Sequence, residues 1–205
     1  MNSYIVNLIC LVVGYLCGSV LFAHIITRLV VGKEIRELGN NNPGAYNVFN
    51  NAGKFWGVFT GILDGLKAFV PMLVAHRYFN VSNTGIGLIG VGAVIGHGYP
   101  LFFKFKGGRA ASSLMGMFLF FIPYELLAAF AIDLILLYTI VKKDFGFWGP
   151  FGIIAIAATL CLFFNHPVEV KILIWVGGLL GVYFNRKFIP LRTKQLLNKA
   201  PEDDN

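Results

Sequence analysis

The chain has 205 residues, of which 57% are hydrophobic and 13% are charged, and its mean hydropathy is +0.70. Soluble domains have about 25% charged residues, so this composition excludes a soluble globular domain. It predicts an all-α, polytopic integral membrane protein with one domain over residues 1–205. The net charge is +7, but the sequence has no basic patch interleaved with stacking aromatic side chains. We therefore do not expect nucleic acid as a partner.

The N-terminal apolar run, residues 4–30, is long enough to cross a membrane with some tilt. It lacks the basic leading segment of a signal peptide, so we interpret it as a retained helix. Gly14, Gly18 and Ser19 predict that a neighbouring helix approaches it closely. The polar segment 32–54 then brings six asparagines and an Asn-Pro-Gly turn, and its apolar centre predicts that it folds back against the bundle.

The second predicted span, residues 55–75, contains two charged residues, Asp64 and Lys67. They are three residues apart and therefore share one face of a helix. Charge within a span is costly and usually marks either a substrate site or an ion pair. Two interpretations stay open: a self-neutralising pair that stabilises the bundle, or a substrate role for Lys67 with Asp64 orienting it.

The third predicted span, residues 85–103, ends in the sequence GHGYPLFFKFKGGR at 96–109. Two adjacent glycines allow backbone N–H groups to form a concavity, and clustered cations favour phosphate there. An ordinary basic loop at the membrane surface is the alternative. Only His97 has a polar, glycine-flanked and cation-rich context. The other three histidines are interpreted as structural or interfacial: His24, His76 and His166.

The remaining apolar sequence predicts four further helices. Residues 110–141 are too long for one span and fit two helices joined at Pro123. A basic-aromatic turn at 142–149 separates them from spans at 150–164 and 171–184. With seven spans and the N-terminus outside, thirteen of the seventeen Lys and Arg residues fall on the inner side. This distribution predicts a cytoplasmic C-terminus and places both polar loops on the cytoplasmic side.

Three motifs occur in order: GNNNPGAYNV at 39–48, LDGLKA at 63–68 and GHGYPLFFKFKGGR at 96–109. Together they resemble the PlsY-type acyl-phosphate:glycerol-3-phosphate acyltransferases, a bacterial membrane family of about this length. The resemblance runs from the first span to about Gly116. It implies seven helices in the plasma membrane and a site that faces the cytoplasm. It also implies acyl transfer from acyl phosphate to the 1-hydroxyl of glycerol 3-phosphate, which gives lysophosphatidic acid for phospholipid synthesis.

The implied partners are acyl phosphate, glycerol 3-phosphate or another polyol phosphate, and membrane lipid. No metal and no cofactor are expected. Acyl phosphate is already activated, so no protein nucleophile is needed, and the sequence has no Ser–His–Asp or Cys–His arrangement. Either His97 or the donor's own phosphate is the general base. The site residues fall into three groups: catalytic His97, Asn47 and Asn40; phosphate-binding Lys104, Lys106, Gly107, Gly108, Arg109 and Lys67; and supporting Asp64, Asn42 and Gly44.

The chain also departs from the family pattern. Asn40 stands where the family has serine, Asn50 where it has arginine, and Arg109 where it has lysine. No counterpart of the His, Asn and Glu motif near the C-terminus is found, and residues 185–188 occupy that region. The sequence therefore predicts a divergent acyltransferase. A non-catalytic relative that binds a lipid or polyol phosphate, or assists a membrane enzyme, is the alternative. A small transporter is disfavoured because no inverted repeat is found.

Overall fold

The computed structural model describes residues 2–142 and 145–197. Lys143 of the predicted basic turn and the acidic end of the tail lie outside these residues. The described part forms an all-α bundle whose α-helices are α1 Ser3–Gly18, α2 Phe22–Val31, α3 Ala45–Asn51, α4 Lys54–Phe79, α5 Asn83–Gly98, α6 Ala111–Phe121, α7 Pro123–Leu136, α8 Phe145–Phe163, α9 Val168–Asn185 and α10 Ile189–Leu197. Short 3₁₀-helices cover Ile35–Glu37 and Leu101–Phe103, and a π-helical turn covers Leu137–Val141.

Six helical segments in the described part are long and apolar enough to cross a membrane. They are Ser3–Val31, Lys54–Phe79, Asn83–Phe103, Pro123–Val141, Phe145–Phe163 and Val168–Asn185. The remaining predicted segment, which follows the third span, is α6. It has 11 residues and is therefore about 16 Å long, roughly half of the hydrocarbon thickness. The prediction of an all-α membrane bundle is confirmed, with six candidate spans and one shorter apolar helix. Pro123 starts α7 directly after α6, as expected from its fixed φ angle.

The first span is not one continuous helix, which corrects the prediction for residues 4–30. It is interrupted between Gly18 and Phe22, and α2 continues after the break. The hydroxyl of Ser19 donates to the Tyr15 carbonyl at 2.8 Å and accepts the Leu101 N–H at 3.2 Å. The break also frees the Val20 carbonyl from helical pairing. Irregular backbone at membrane depth is tolerated where the protein supplies such partners.

Helices α1 and α5 pack closely through reciprocal glycines. A Cβ atom at Gly14 would lie 2.0 Å from the Ile89 carbonyl oxygen, and one at Gly18 would lie 2.1 Å from that of Ala93. From the α5 side, a Cβ at Gly96 would lie 2.2 Å from the Tyr15 carbonyl oxygen. Only glycine allows this backbone approach. The predicted close contact at Gly14 and Gly18 is therefore confirmed, and it fixes the end of α5 where His97 lies.

Other boundaries differ from the sequence prediction. Helix α4 continues to Phe79, so His76 lies in its last turns and not in a turn between spans. Helix α8 begins at Phe145 and contains Pro150, so most of the predicted basic-aromatic turn is helical. Helix α9 begins at Val168 after the turn at 164–167. At this end of the bundle His166 of the turn pairs with buried Glu125 of α7.

Candidate active site

The asparagine-rich loop 32–53 is folded around the buried side chain of Asn47. Its amide Nδ2 donates to the carbonyls of Ile35 at 3.1 Å and Leu38 at 2.9 Å. Its Oδ1 accepts the Asn40 N–H at 3.3 Å and the Asn51 Nδ2 at 2.9 Å. All polar atoms of the side chain are therefore engaged inside the loop. The structure makes Asn47 the residue that shapes the loop and holds Asn40 in place.

A charged network lies below this loop, between α4 and α5. The Lys67 Nζ is 2.8 Å from the Asp64 Oδ1, 2.8 Å from the His97 Nδ1 and 2.8 Å from the Val20 carbonyl oxygen. All three side chains are buried. The contacts with His97 and Val20 are hydrogen bonds, and the contact with Asp64 is an ion pair. The break in the first span thus supplies one of the two hydrogen-bond acceptors of a buried cation.

With Lys67 as an ammonium ion, its contact with His97 indicates which nitrogen of the neutral ring carries the proton. An ammonium group can only donate, so the Nδ1 of His97 accepts the hydrogen bond from Lys67. The proton of the neutral ring then lies on Nε2. This nitrogen faces Gly108, where a Cβ atom would be 2.5 Å away. The network therefore presents an Nε2–H donor, not a basic lone pair, on the other side of the ring.

The double glycine serves a different purpose from the predicted one. The Gly107 N–H donates to the Gly98 carbonyl at 3.2 Å, and the Gly108 N–H donates to the His97 carbonyl at 3.0 Å. These amides close the C-terminal end of α5 and are engaged within the protein. A Cβ at Gly107 would lie 2.0 Å from the His97 carbonyl oxygen. Glycine is required at both positions because the backbone passes directly over His97 and leaves no room for a side chain.

A cavity of about 250 Å³ opens beside this network. Six of the twelve predicted site residues line it: Asn40, Asn42, Gly44, Asp64, His97 and Arg109. The other six do not line it: Asn47, Lys67, Gly107, Gly108, Lys104 and Lys106. The structure therefore brings the asparagine-rich loop, the intramembrane acid and the histidine to one space. It separates that space from the two lysines of the basic loop.

Among the described residues, Arg109 is the Lys or Arg side chain that lines the cavity. Its guanidinium carbon lies 3.8 Å from the centroid of the Phe188 ring and 5.8 Å from that of Phe147. Stacking on an aromatic face holds the planar guanidinium in one orientation. The position is suited to binding a phosphate group.

The start of α6 also lines the cavity, and sequence analysis did not identify this feature. Ala110, Ala111 and Ser112 all reach the lining. The first N–H groups of a helix lack partners within the helix and attract anions. Ala110 has φ +60°, a left-handed conformation that is strained for alanine. Ser112 adds a hydroxyl, and its position three residues after Arg109 is the signal that could have found it.

Lys104 and Lys106 are exposed at the rim of the same end of the bundle. Arg36 donates to the Lys106 carbonyl at 3.1 Å and to the Glu34 carboxylate at 3.0 Å. Glu34 also accepts from His24 at 2.8 Å. Burial raises the pKa of Glu34, but the hydrogen bonds and charges of His24 and Arg36 outweigh it and hold the pKa below its ordinary value. This chain of contacts links the two polar loops.

The cavity continues from its polar end into an apolar groove between α8 and α9. The α8 wall extends from Gly146 to Thr159, and the α9 wall from Asn185 to Trp175. Leu114 of α6 lines the space between them. Leu179 and Trp175 of the α9 wall are exposed where the bilayer would lie. Asn185, at the polar end, is a further lining residue that sequence analysis did not assign to the site.

Comparison with known proteins agrees with this architecture. The family model for glycerol-3-phosphate acyltransferase matches residues 8–190. The chain is 32% identical over 182 residues to the glycerol-3-phosphate acyltransferase of Aquifex aeolicus, and this match covers 86% of this chain and 90% of that protein. It is 40% identical over 130 residues to that of Syntrophotalea carbinolica, a match that covers 63% of this chain and 66% of the relative.

Solved structures agree as well. The fold is similar to the crystal structure of PlsY (YgiH), an integral membrane glycerol 3-phosphate acyltransferase, in its glycerol 3-phosphate form, with a TM-score of 0.83 and 30% identity over 93% of both chains. The lysophosphatidic acid form gives a TM-score of 0.81 at 29% identity. Fold and site together define an integral membrane protein of the acyltransferase type. The chain belongs to the glycerol-3-phosphate acyltransferase family, as its motifs predicted.

Proposed function

We propose that this protein transfers a fatty acyl group from acyl phosphate to the 1-hydroxyl of glycerol 3-phosphate and releases lysophosphatidic acid. The single observation that carries the proposal is the shape of the cavity. Its polar end contains Arg109, His97 and the start of α6, and its other end is an apolar groove beside lipid. One ligand with a phosphate head and an acyl tail matches both ends. Family membership supports the same reaction.

Binding of the phosphate groups is assigned to Arg109 and the first turn of α6. Arginine binds phosphate through two parallel, charge-assisted hydrogen bonds. The helix start contributes N–H donors and the positive end of its dipole. Asn40, held by Asn47, lines the same end and can donate its side-chain amide to an oxygen of the acceptor. Lys104 and Lys106 lie outside the lining, where their charge acts on approaching anions over a longer distance.

His97 acts as a donor to the reacting carbonyl in this proposal. Its Nδ1 accepts from Lys67 and its ring lines the cavity, so in this proposal the Nε2–H, at the ring edge beside Gly108, donates to the oxyanion that develops during acyl transfer. Asp64 and Lys67 then position the ring and do not contact the acceptor's phosphate. Of the two bases that the sequence left open, this tautomer favours the phosphate of the donor.

The reaction balances without a protein nucleophile. The 1-hydroxyl oxygen of glycerol 3-phosphate attacks the carbonyl carbon of acyl phosphate, and the bond between that carbon and the phosphate oxygen breaks. The departing phosphate accepts the proton of the hydroxyl. Lysophosphatidic acid and inorganic phosphate are the products. The protein supplies orientation and charge stabilisation, which are the main contributions expected for an activated donor.

A cytoplasmic site in the bacterial plasma membrane is the orientation that we propose. The distribution of Lys and Arg supports it when α6 is counted as a crossing beside the six candidate spans, because thirteen of seventeen then fall on the side of the two polar loops. Both substrates of the proposed reaction are phosphorylated and would reach the site from that side. Cysteine accessibility labelling at Lys33 and at Asn80, which follow the first and the second candidate span and lie at opposite ends of the bundle, tests the orientation.

Purified protein in detergent, given acyl phosphate and radiolabelled glycerol 3-phosphate, tests the function. We expect radiolabelled lysophosphatidic acid from the wild type and little from Arg109→Met, which keeps the stem but removes the guanidinium. A folded wild type that forms no product above this variant would overturn the proposal. Binding of glycerol 3-phosphate without turnover would favour the non-catalytic alternative, which the departures at Asn40 and Asn50 raised.

A further inference from the structure

One glycine of α9 has no packing role in the structure. Gly177 and Gly181 each face Leu114 of α6, where a Cβ atom would lie 3.0 Å and 2.9 Å from its methyl groups. A Cβ at Gly178 would meet no atom of the described residues within 4 Å. A glycine within a helix lowers stability relative to alanine. Gly178 therefore bears this cost without any close contact that requires it.

Gly178 instead borders the apolar groove of the cavity, and Trp175 lies one turn further along the same wall. From Asn185 at the polar end to Trp175 the helix rises by about 15 Å, since each residue adds about 1.5 Å. This length is about that of one leaflet's hydrocarbon, roughly half of the 30 Å core. Gly178 lies about 10 Å from the polar end on the same measure. It marks the point where a long acyl chain would have to continue and a short one would already have ended.

The α8 wall of the groove also has small side chains far from the polar end. On α8 the lining residues beyond Ile154 are small: Ala155, Ala158 and Thr159. Trp175 is the deepest lining residue of α9 and is the largest side chain on that wall. On both walls the lining residues farthest from the polar end are thus small, except for the indole of Trp175.

We infer that Gly178 and Trp175 set the acyl-chain length that this protein accepts. Gly178 leaves room for the distal half of a long chain, and Trp175 limits the length of the groove. The inference rests on the proposed function, because it assigns the groove to the acyl group of the donor. It goes further by naming two residues that select among donors.

The first test measures kcat/KM with octanoyl, dodecanoyl and hexadecanoyl phosphate. We expect Gly178→Phe to lower the ratio of the hexadecanoyl to the octanoyl value about tenfold, as for other pockets that lose room for a few methylene groups. Trp175→Ala should shift preference towards longer donors, eicosanoyl phosphate included. Val176→Phe is the matched control, because Val176 is on α9 but does not line the cavity. An equal shift in this control, or a uniform loss at all lengths in Gly178→Phe, would overturn the inference.

A second readout needs no turnover. Lysophosphatidic acid that is brominated near the end of its chain should quench the fluorescence of Trp175, and Trp175→Phe should remove that part of the quenching. Gly178→Phe should weaken quenching by the hexadecanoyl ester more than by a shorter one. If the wild type is quenched but forms no product, binding of the acyl chain in the groove is supported and the proposed reaction is refuted. If it forms product and no chain length quenches it, the reaction stands and the length selection fails.

Discussion

The close approach of Gly108 to His97 gives the most direct test of the site. A Cβ atom added at residue 108 would lie 2.5 Å from the His97 Nε2 and 3.2 Å from its Cδ2. Ordinary contact begins at 3.4 Å, so Gly108→Ala requires a displacement of about 0.9 Å. The ring cannot simply rotate away, because its Nδ1 is held 2.8 Å from the Lys67 Nζ. The Pro43 carbonyl oxygen, 3.1 Å from the same Cβ, restricts movement of the loop in the other direction.

A shift of about 1 Å in a catalytic group costs about a hundredfold in rate, equivalent to roughly 2.7 kcal/mol. We therefore expect Gly108→Ala to lower kcat about a hundredfold and Gly108→Val to lower it further. The assay is initial-rate formation of lysophosphatidic acid in detergent, with a melting temperature for each variant. Gly65→Ala serves as the control, because among the described residues its Cβ would meet only the Ser112 carbonyl oxygen, at an ordinary contact distance of 3.4 Å. A folded Gly108→Ala protein with the kcat of the wild type would refute the role of His97.

Three further predictions concern charged residues. Lys67→Met should lower the free energy of unfolding by about 3–5 kcal/mol, because it leaves the carboxylate of Asp64 buried without its cation. The double variant Lys67→Met/Asp64→Asn should recover most of this stability but not the activity. Arg109→Met should raise the KM for glycerol 3-phosphate at least about tenfold, since a charge-assisted hydrogen bond contributes about 1.5–3 kcal/mol, whereas exposed Lys106→Ala should change it less than about threefold. Glu34 should stabilise the protein fully above pH 4.5, its ordinary pKa, and less as the pH falls through its lowered pKa. Melting temperatures of the wild type and Glu34→Gln against pH measure this, and their difference should shrink in acid.

Each of these has an outcome that contradicts it. Unchanged unfolding of Lys67→Met would show that the buried carboxylate finds another partner or a proton. Equal effects of Arg109→Met and Lys106→Ala on KM would move the phosphate from the cavity to the exposed loop, as the sequence alone suggested. A melting-temperature difference for Glu34→Gln that does not vary with pH would remove the ionised carboxylate as the cause.

Much of the fold could be predicted because its signals are local. Pro123 must begin a helix, and Gly14 and Gly18 lie one turn apart on the face that meets α5. The spacing of Asp64 and Lys67 predicted that they share one helical face and left an ion pair as one of two interpretations; the structure has this ion pair at 2.8 Å. These features depend on a few neighbouring residues, so composition and period are sufficient to find them.

The break in the first span could not be predicted in the same way. Residues 19–21 contain no proline or glycine, and their irregular backbone depends on partners that are distant in sequence. Leu101 is 82 residues from Ser19, and Lys67 is 47 residues from Val20. For the same reason, the sequence could not show that the amides of Gly107 and Gly108 are already engaged at the end of α5. The predicted phosphate concavity therefore has other donors in the structure, at the start of α6.

The exposed wall of the groove has a consequence for how the proposed enzyme would be saturated. Because Leu179 and Trp175 face the bilayer, a donor need not leave the membrane to enter, and its product can depart sideways by the same opening. The occupancy of the groove by donor then depends on the mole fraction of donor within the leaflet, not on its concentration in the surrounding water. Adding inert lipid or detergent at constant total donor should slow the reaction by surface dilution. The water-soluble acceptor, in contrast, would still obey its bulk concentration, so the two substrates would follow different concentration scales in one cavity.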